Sequence, residues 1–431
     1  MPGEALDTAG NSIGRRAGAS TGIASGRRPR IALLGQFGAG NLGNDASLEA
    51  MLRMIRTRIP GAGVTVICSR PDIVSETFGL PAVAWIGTPP QSRLLQRLNG
   101  LLLKVPHKLL APSRAAGALR GCDVLVVPGT GFLDDFGERA AGGPFAILSW
   151  VLAARLMRCR VVMASIGAGP IHSRASRILM MAAARLAHHL TFRDAASRDF
   201  VVRHAHVRRP LAVYPDLAFA LPAELQEPPA GARPLALGVM RYRGWGNEDG
   251  SIYRTYIAKL ARFARGAIEG GRRVRLVIGE AGDEEAVRDL RSALAAAGGE
   301  RLLDATEYAA AHDIHDVIRQ MAGAELAVAT RFHNVVGALM AGTPVISLSY
   351  GAKNDILLTD MGLGAFCAHV ETFDPDWLAE RVMALAAERE RHAAIIRERT
   401  AAYRTALSEQ SDVLCALIGG GGANGAPGPT R

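Results

Sequence analysis

The chain has few cysteines, few aromatic residues and no long apolar runs, and each scarcity removes a class of protein. Its five cysteines, at positions 68, 122, 159, 367 and 415, are scattered and odd in number. No CxxC or Cys/His spacing suggests zinc, and a disulfide framework is not expected, so a reducing cytoplasm fits best. Aromatic residues make up 5% of the chain. They are not interleaved with basic ones, which argues against nucleic-acid binding. No apolar run reaches the roughly 18 residues that a spanning helix needs. The longest candidate, PFAILSWVLAARLM, is interrupted by Arg155 and bounded by Arg158. Residues 1–28 lack the apolar stretch of a signal peptide and read as a disordered basic arm, and 418–431 reads as a flexible tail.

Acidic residues are also missing locally. The net charge is +10, and no Asp or Glu occurs between Glu76 and Asp123. That span carries Arg93, Arg97, Lys104, Lys108, Arg114 and Arg120 among leucines. A basic amphipathic segment of this kind suits peripheral contact with an anionic membrane surface, or an acidic ligand. The alternative is a solvated, arginine-rich helix face.

What is present is a two-domain pattern. A chain of 431 residues, 49% hydrophobic, is too long for one ordinary core. Short β-branched runs alternate with longer helical stretches. Strands are expected at 30–35, 64–68, 123–127, 160–167, 190–193 and 212–214, then again at 235–240, 274–279, 326–330 and 344–349. A helix is expected over 45–59 with Asp45 as its N-cap, others over 144–157 and 174–188, and one or two over 376–417. The proline-rich ALPAELQEPPAGARP, 220–234, separates the two series. The expected fold is α/β: two Rossmann-like domains with parallel sheets and an interdomain cleft, of GT-B-like type. The domains are expected at 29–222 and 235–417, with a linker at 223–234. Ligands of such sheets lie at the carboxyl ends of the strands, here facing the cleft.

The loop GQFGAGNLGND, 35–45, contains G-x-G-x-x-G at Gly38, Gly40 and Gly43. A dinucleotide site also needs an acid about 20 residues on, at the end of the second strand. That strand ends Cys68-Ser69-Arg70 instead. The first glycine after strand one is Gly35, so the spacing disagrees as well. The stretch reads as a wider loop, with Asn41 and Asp45 adding polar reach and backbone N–H groups able to approach a ligand. Two further glycine-rich strand ends follow, with Gly129 and Gly131 in VVPGTGFLDDFG and Gly167 in SIGAGPI. Three such ends suggest a surface where substrate lies against backbone.

The most specific stretch is ELAVATRFHNVVGALMAGTPVISLSYGAKN, 325–354. It reads as strand, turn, helix, strand, with Arg331 and His333 at the helix N-terminus and Gly337 one turn later. Two donors and the positive end of a helix dipole make an anion site. Lys353, after the next strand, reaches the same sheet edge. Such an address suits a histidine that takes up a proton when an anionic substrate arrives.

Six segments in order, FGAGNLGNDASLEA, DVLVVPGTGFLDDFG, SIGAGPI, TFRDAASRDF, VYPDLAF and TRFHNVVGALMAGTPVISLSYGAKN, resemble the polysaccharide pyruvyl transferase family. They span about 30–355. The resemblance implies a GT-B-type fold and transfer of pyruvate from phosphoenolpyruvate onto sugar hydroxyls, usually as a cyclic ketal, with no cofactor or metal. It implies His333 as the acid, with Arg193 and Lys353 holding carboxylate and phosphate and Arg331 assisting. The alternative for Arg193 is a surface ion pair with Asp194 or Asp199. It further implies a glycan or lipid-linked saccharide as acceptor, held by the glycine loops. The family's first loop reads N-L-G-D-E where this chain has Asn41-Leu42-Gly43-Asn44-Asp45, which puts acceptor contacts in question. Two rivals remain: a nucleotide-sugar glycosyltransferase, with Glu280 available for a ribose, and a non-catalytic glycan-binding member. An NAD(P) oxidoreductase comes last.

Overall fold

A computed structural model describes residues 27–86, 111–135, 138–223, 233–244 and 250–419. The arm up to 26, the basic segment up to 110, the linker from 224 to 232 and the tail from 420 lie outside the described residues.

The chain forms two six-stranded parallel sheets. The first contains β1 (Arg30–Leu34), β2 (Gly63–Cys68), β3 (Ala82–Ala84), β4 (Val124–Pro128), β5 (Arg160–Ile166) and β6 (His189–Phe192), in the order β3-β2-β1-β4-β5-β6. The second contains β7 (Leu235–Gly238), β8 (Val274–Val277), β9 (Thr306–Tyr308), β10 (Leu326–Ala329), β11 (Val345–Ser349) and β12 (Cys367–His369), in the order β12-β11-β10-β7-β8-β9. The order reverses beside β1 in one sheet and beside β7 in the other. Those are the switch points where strand ends splay and leave a crevice.

Successive side chains of a strand point to opposite faces. Ile31 and Leu33 therefore join one apolar cluster, and Ala32 and Leu34 the other. The first cluster continues through the second half of the molecule. The second is confined to the far side of the first sheet, under the helices Gly143–Leu156 and Arg174–Leu186.

Three differences from the sequence reading stand out. The first helix is Leu42–Arg58, and its N-cap is Asn41, whose side chain accepts from the Asn44 N–H at 3.2 Å. Asp45 is already helical and accepts instead from the Gly38 N–H at 2.8 Å, tying the loop to the helix. Residues 212–214 are not a strand. Val213 meets Phe192 through one isolated bridge, too short for a ladder. The edge strands β3, β9 and β12 were not foreseen, because three residues cannot display a period.

The region 376–417 is two helices, Pro375–Ala387 and Arg389–Gly419. The second returns to the first sheet. There the buried Gln410 accepts from Ser165 Oγ at 3.0 Å and donates to Thr191 Oγ1 at 2.9 Å. The described cysteines are all free, and burial pushes the Cys68 and Cys159 thiols up to about 12.

Candidate active site

A cavity of about 480 Å³ lies between the two sheets, at the carboxyl ends of their strands. His333 stands on its second-half wall, near the start of the helix Phe332–Met340 that follows β10. Arg331 is the N-cap residue, so the first backbone N–H groups of the helix have no partner within it. Gly337 lets this helix approach the helix Ile314–Ala322; a Cβ there would sit 2.8 Å from Val317 Cγ1.

The His333 ring is wedged between the halves of the molecule. On one side is Gly43, whose hypothetical Cβ would lie 1.8 Å from His333 Nδ1. On the other is Asp216, whose Oδ1 is 3.8 Å from His333 Nε2. That Nε2 is buried and makes no hydrogen bond. Burial works to raise the Asp216 carboxyl, but contact with His333 and then the charge of Arg193 outweigh it and bring it to about 2. The other Asp216 oxygen is 3.4 Å from Arg193 Nη1.

Arg193 is not at the surface. Its side chain is 6% exposed, with Asp194 3.7 Å from Nε and Asp216 3.4 Å from Nη1, and the buried Nε makes no hydrogen bond. The expected alternative partner Asp199 pairs with Arg198 instead. The Arg193 guanidinium lies 4.5 Å from the centre of the Phe332 ring. Lys353 Nζ lies 5.9 Å from the same ring and 4.6 Å from that of Tyr350. One aromatic ring thus has a cation associated with it from each half of the molecule. Lys353 makes no ion pair among the described residues, so its charge is available to a ligand.

Arg331 is differently placed. It is clasped by Asp283 at 2.7 and 2.8 Å and by Glu280 at 2.6 Å. Burial works to lower its pKa, and these two carboxylates more than offset that. Its guanidinium lines the cavity but is already neutralised.

The expected glycines divide. Gly131 and Gly167 line the cavity. A Cβ on Gly167 would come within 2.8 Å of the Arg193 guanidinium carbon, so this glycine makes room for the arginine. Gly38, Gly40, Gly129 and Asp45 do not line it. Gly38 (φ +74°) faces Arg70 and Val74, Gly40 (φ +85°) faces Ala281, and Gly129 (φ +58°) packs on Ser47. The first loop is a seam. Leu42 N–H donates to Gly279 O at 3.2 Å, and Ala281 N–H to Gly40 O at 3.0 Å. Asn41 lines the cavity from this seam, beside Asn44, whose Nδ2 donates to Gln36 O at 3.3 Å.

Asp216 and Phe332 were given no role in the sequence reading. Asp216 sits in VYPDLAF and Phe332 inside RFH, so both lay within quoted segments. Neither a lone Asp before a short 3-10 turn nor a Phe at a helix start has a local signature. No group of three potential metal-ligating side chains occurs among the described residues.

Fold and site together describe a GT-B-like α/β protein whose polar chemistry is gathered in the cleft. Its architecture is similar to that of S. aureus MnaA solved with UDP (TM-score 0.59, 10% identity, 90% of this chain and 97% of that one covered). It is also similar to UDP-GlcNAc 2-epimerase from Neisseria meningitidis bound to UDP-GlcNAc (TM-score 0.55, 12%, 90% and 99%). A glycosyltransferase from Rickettsia africae is likewise similar (TM-score 0.54, 10%, 92% and 100%). At these identities the likeness is one of fold. No curated protein matches in sequence. The chain belongs to the polysaccharide pyruvyl transferase family, whose profile matches residues 41–352. Arg193 and His333 fall inside that range, and Lys353 is the first residue beyond it.

Proposed function

We propose that the protein transfers the pyruvyl group of phosphoenolpyruvate to two hydroxyls of a sugar in a polysaccharide or its precursor. The product is a cyclic ketal, inorganic phosphate is released, and His333 is the general acid. The observation that carries this reading is the grouping of His333, Arg193 and Lys353 around Phe332 in one cavity, with His333 Nε2 buried and unbonded. Family membership supports the reaction class.

In this reading Arg193 and Lys353 hold the carboxylate and phosphate, and Arg331 shapes the wall. Imidazolium His333 delivers a proton to the methylene carbon, and the C2 cation that forms is attacked by a sugar hydroxyl. The hydroxyl proton returns to the imidazole. Phosphate then departs, the second hydroxyl closes the ring, and its proton leaves with phosphate. Asp216 is a positioning residue, its Oδ1 3.8 Å from His333 Nε2. The amide side chains of Asn41 and Asn44 suit the hydroxyls of an acceptor. The first half, 29–222, is then the acceptor side and the second, 235–417, the donor side, with Arg193 crossing over to the donor.

Calorimetric titration with phosphoenolpyruvate, beside UDP-sugars and NAD(P)H, tests the donor. Micromolar to low-millimolar binding of phosphoenolpyruvate is expected, weakened about tenfold or more in Lys353→Ala. His333→Ala should largely keep binding while acceptor-dependent phosphate release falls roughly 10²–10⁴-fold. Binding of a UDP-sugar without phosphoenolpyruvate would transfer the site to glycosyl transfer.

A further inference from the structure

The helix Gly143–Leu156 is apolar on two sides. Its inner side buries Ile147, Trp150, Val151 and Ala154 in the core of the first half. Its outer side exposes Leu152 and Leu156, which continue one helical stripe from the half-buried Phe145 and Leu148, spaced three and four apart. Leu152 is 42% exposed, Leu156 78% and the following Met157 36%. The helix Arg174–Leu186 packs beside it and exposes Ile178 at 69%, and the next, Ala195–Ala205, exposes Val202 at 40%. A surface helix normally turns one apolar stripe inward and a polar one outward. Here three neighbouring helices show apolar side chains to solvent.

The first two helices of this layer carry charge of one sign, and the third adds Asp199, which pairs with Arg198. From Arg139 to Arg193 the sequence contains no Asp or Glu. Arg155, Arg158, Arg174 and Arg185 are exposed along it. The layer covers the side of the first sheet away from the second half, whose core belongs to the other cluster. Its helices begin at the cavity end, since Gly169 and Pro170, just before Arg174, line the cavity. No described helix is long and apolar enough to cross a membrane.

We propose that this outer helical layer is a docking face for an anionic phospholipid surface, with Leu152, Leu156 and Ile178 entering the interface and the surrounding arginines meeting lipid phosphates. Apolar side chains ringed by cations on a face with no carboxylate between Arg139 and Arg193 match a negatively charged bilayer in both respects. A second copy of this chain would set like charge against like. Docking in this way puts the cavity end of the layer beside the membrane, where a lipid-linked saccharide would present its sugar. The inference does not depend on which donor the cavity takes.

The test is flotation of the full chain with vesicles of phosphatidylcholine alone and of phosphatidylcholine with phosphatidylglycerol. Binding is expected only to the anionic vesicles, and to fall steeply as salt is raised. The triple substitution Leu152→Ser, Leu156→Ser, Ile178→Ser should lower partitioning at least about tenfold. Its thermal melt should match the parent's, because the three side chains are exposed. A second variant, Arg158→Glu with Arg174→Glu, should do the same without touching apolar surface. Full vesicle binding by both variants would overturn the assignment of this face. So would absence of binding to the anionic vesicles at low salt, and a concentration-dependent dimer that the triple substitution abolishes would then assign the face to self-association.

Discussion

His333 is defined by what lies on either side of its ring. Gly43 leaves no side chain where the imidazole sits, and Asp216 places a carboxylate 3.8 Å from Nε2. The carboxyl of Asp216 is held at about 2, below its ordinary 3.8. A depressed carboxyl contributes stability that is complete above its unfolded pKa and is lost as pH falls through the folded one. Asp216→Asn should therefore cost about 2 kcal/mol at neutral pH. The deficit should shrink below pH 4 and vanish near pH 2, as read by denaturant unfolding of both proteins across that range. Activity should fall as well, since the ring loses the carboxylate 3.8 Å from its Nε2. An equal deficit at pH 7 and pH 2 would mean that Asp216 acts only through its hydrogen bond to the Ala218 N–H.

At the scale of elements, the start of the helix Leu42–Arg58 and the start of the helix Phe332–Met340 meet face to face. One brings a glycine and the other a histidine, and backbone hydrogen bonds from Leu42 to Gly279 and from Ala281 to Gly40 lock the first glycine loop to the 279–281 loop beside them. Gly43→Ala tests that seam. Its methyl would overlap the imidazole, so the ring must leave its place while the helix, which tolerates Ala well, persists. Acceptor-dependent turnover should drop at least about tenfold, following the loss expected when a proton donor is misplaced. Unfolding should change by no more than about 1–3 kcal/mol. A fully active Gly43→Ala protein would remove His333 from the chemistry. The glycine loop that looked like a ligand cradle is here mainly a joint, because its Gly40 O and Leu42 N–H are already spent on the opposite half.

At the scale of the whole molecule, the cavity exists only while the halves stay docked, and the last helix holds them. It leaves the second half and inserts Gln410 between Ser165 and Thr191 of the first sheet. Gln410→Ala leaves those buried hydroxyls short of partners and should cost about 1–3 kcal/mol, read as a lower midpoint in urea. Much of this architecture was legible beforehand. The alternation of β-branched runs with helical stretches foretold two parallel sheets, since a strand buried on both faces must be apolar throughout. Arg193, His333 and Lys353 were legible because each follows a strand, and parallel strands deliver their carboxyl ends to one edge. The sequence by itself determined the layers, the inner strands with their carboxyl ends, and the charge that gathers there. Only the tertiary structure decided which neighbours each charge meets. Asp216 is 117 positions from His333, Asp283 neutralises Arg331, and Gly43 makes room for a ring from the other half, because such pairings depend on how two sheets face each other and leave no period in the chain.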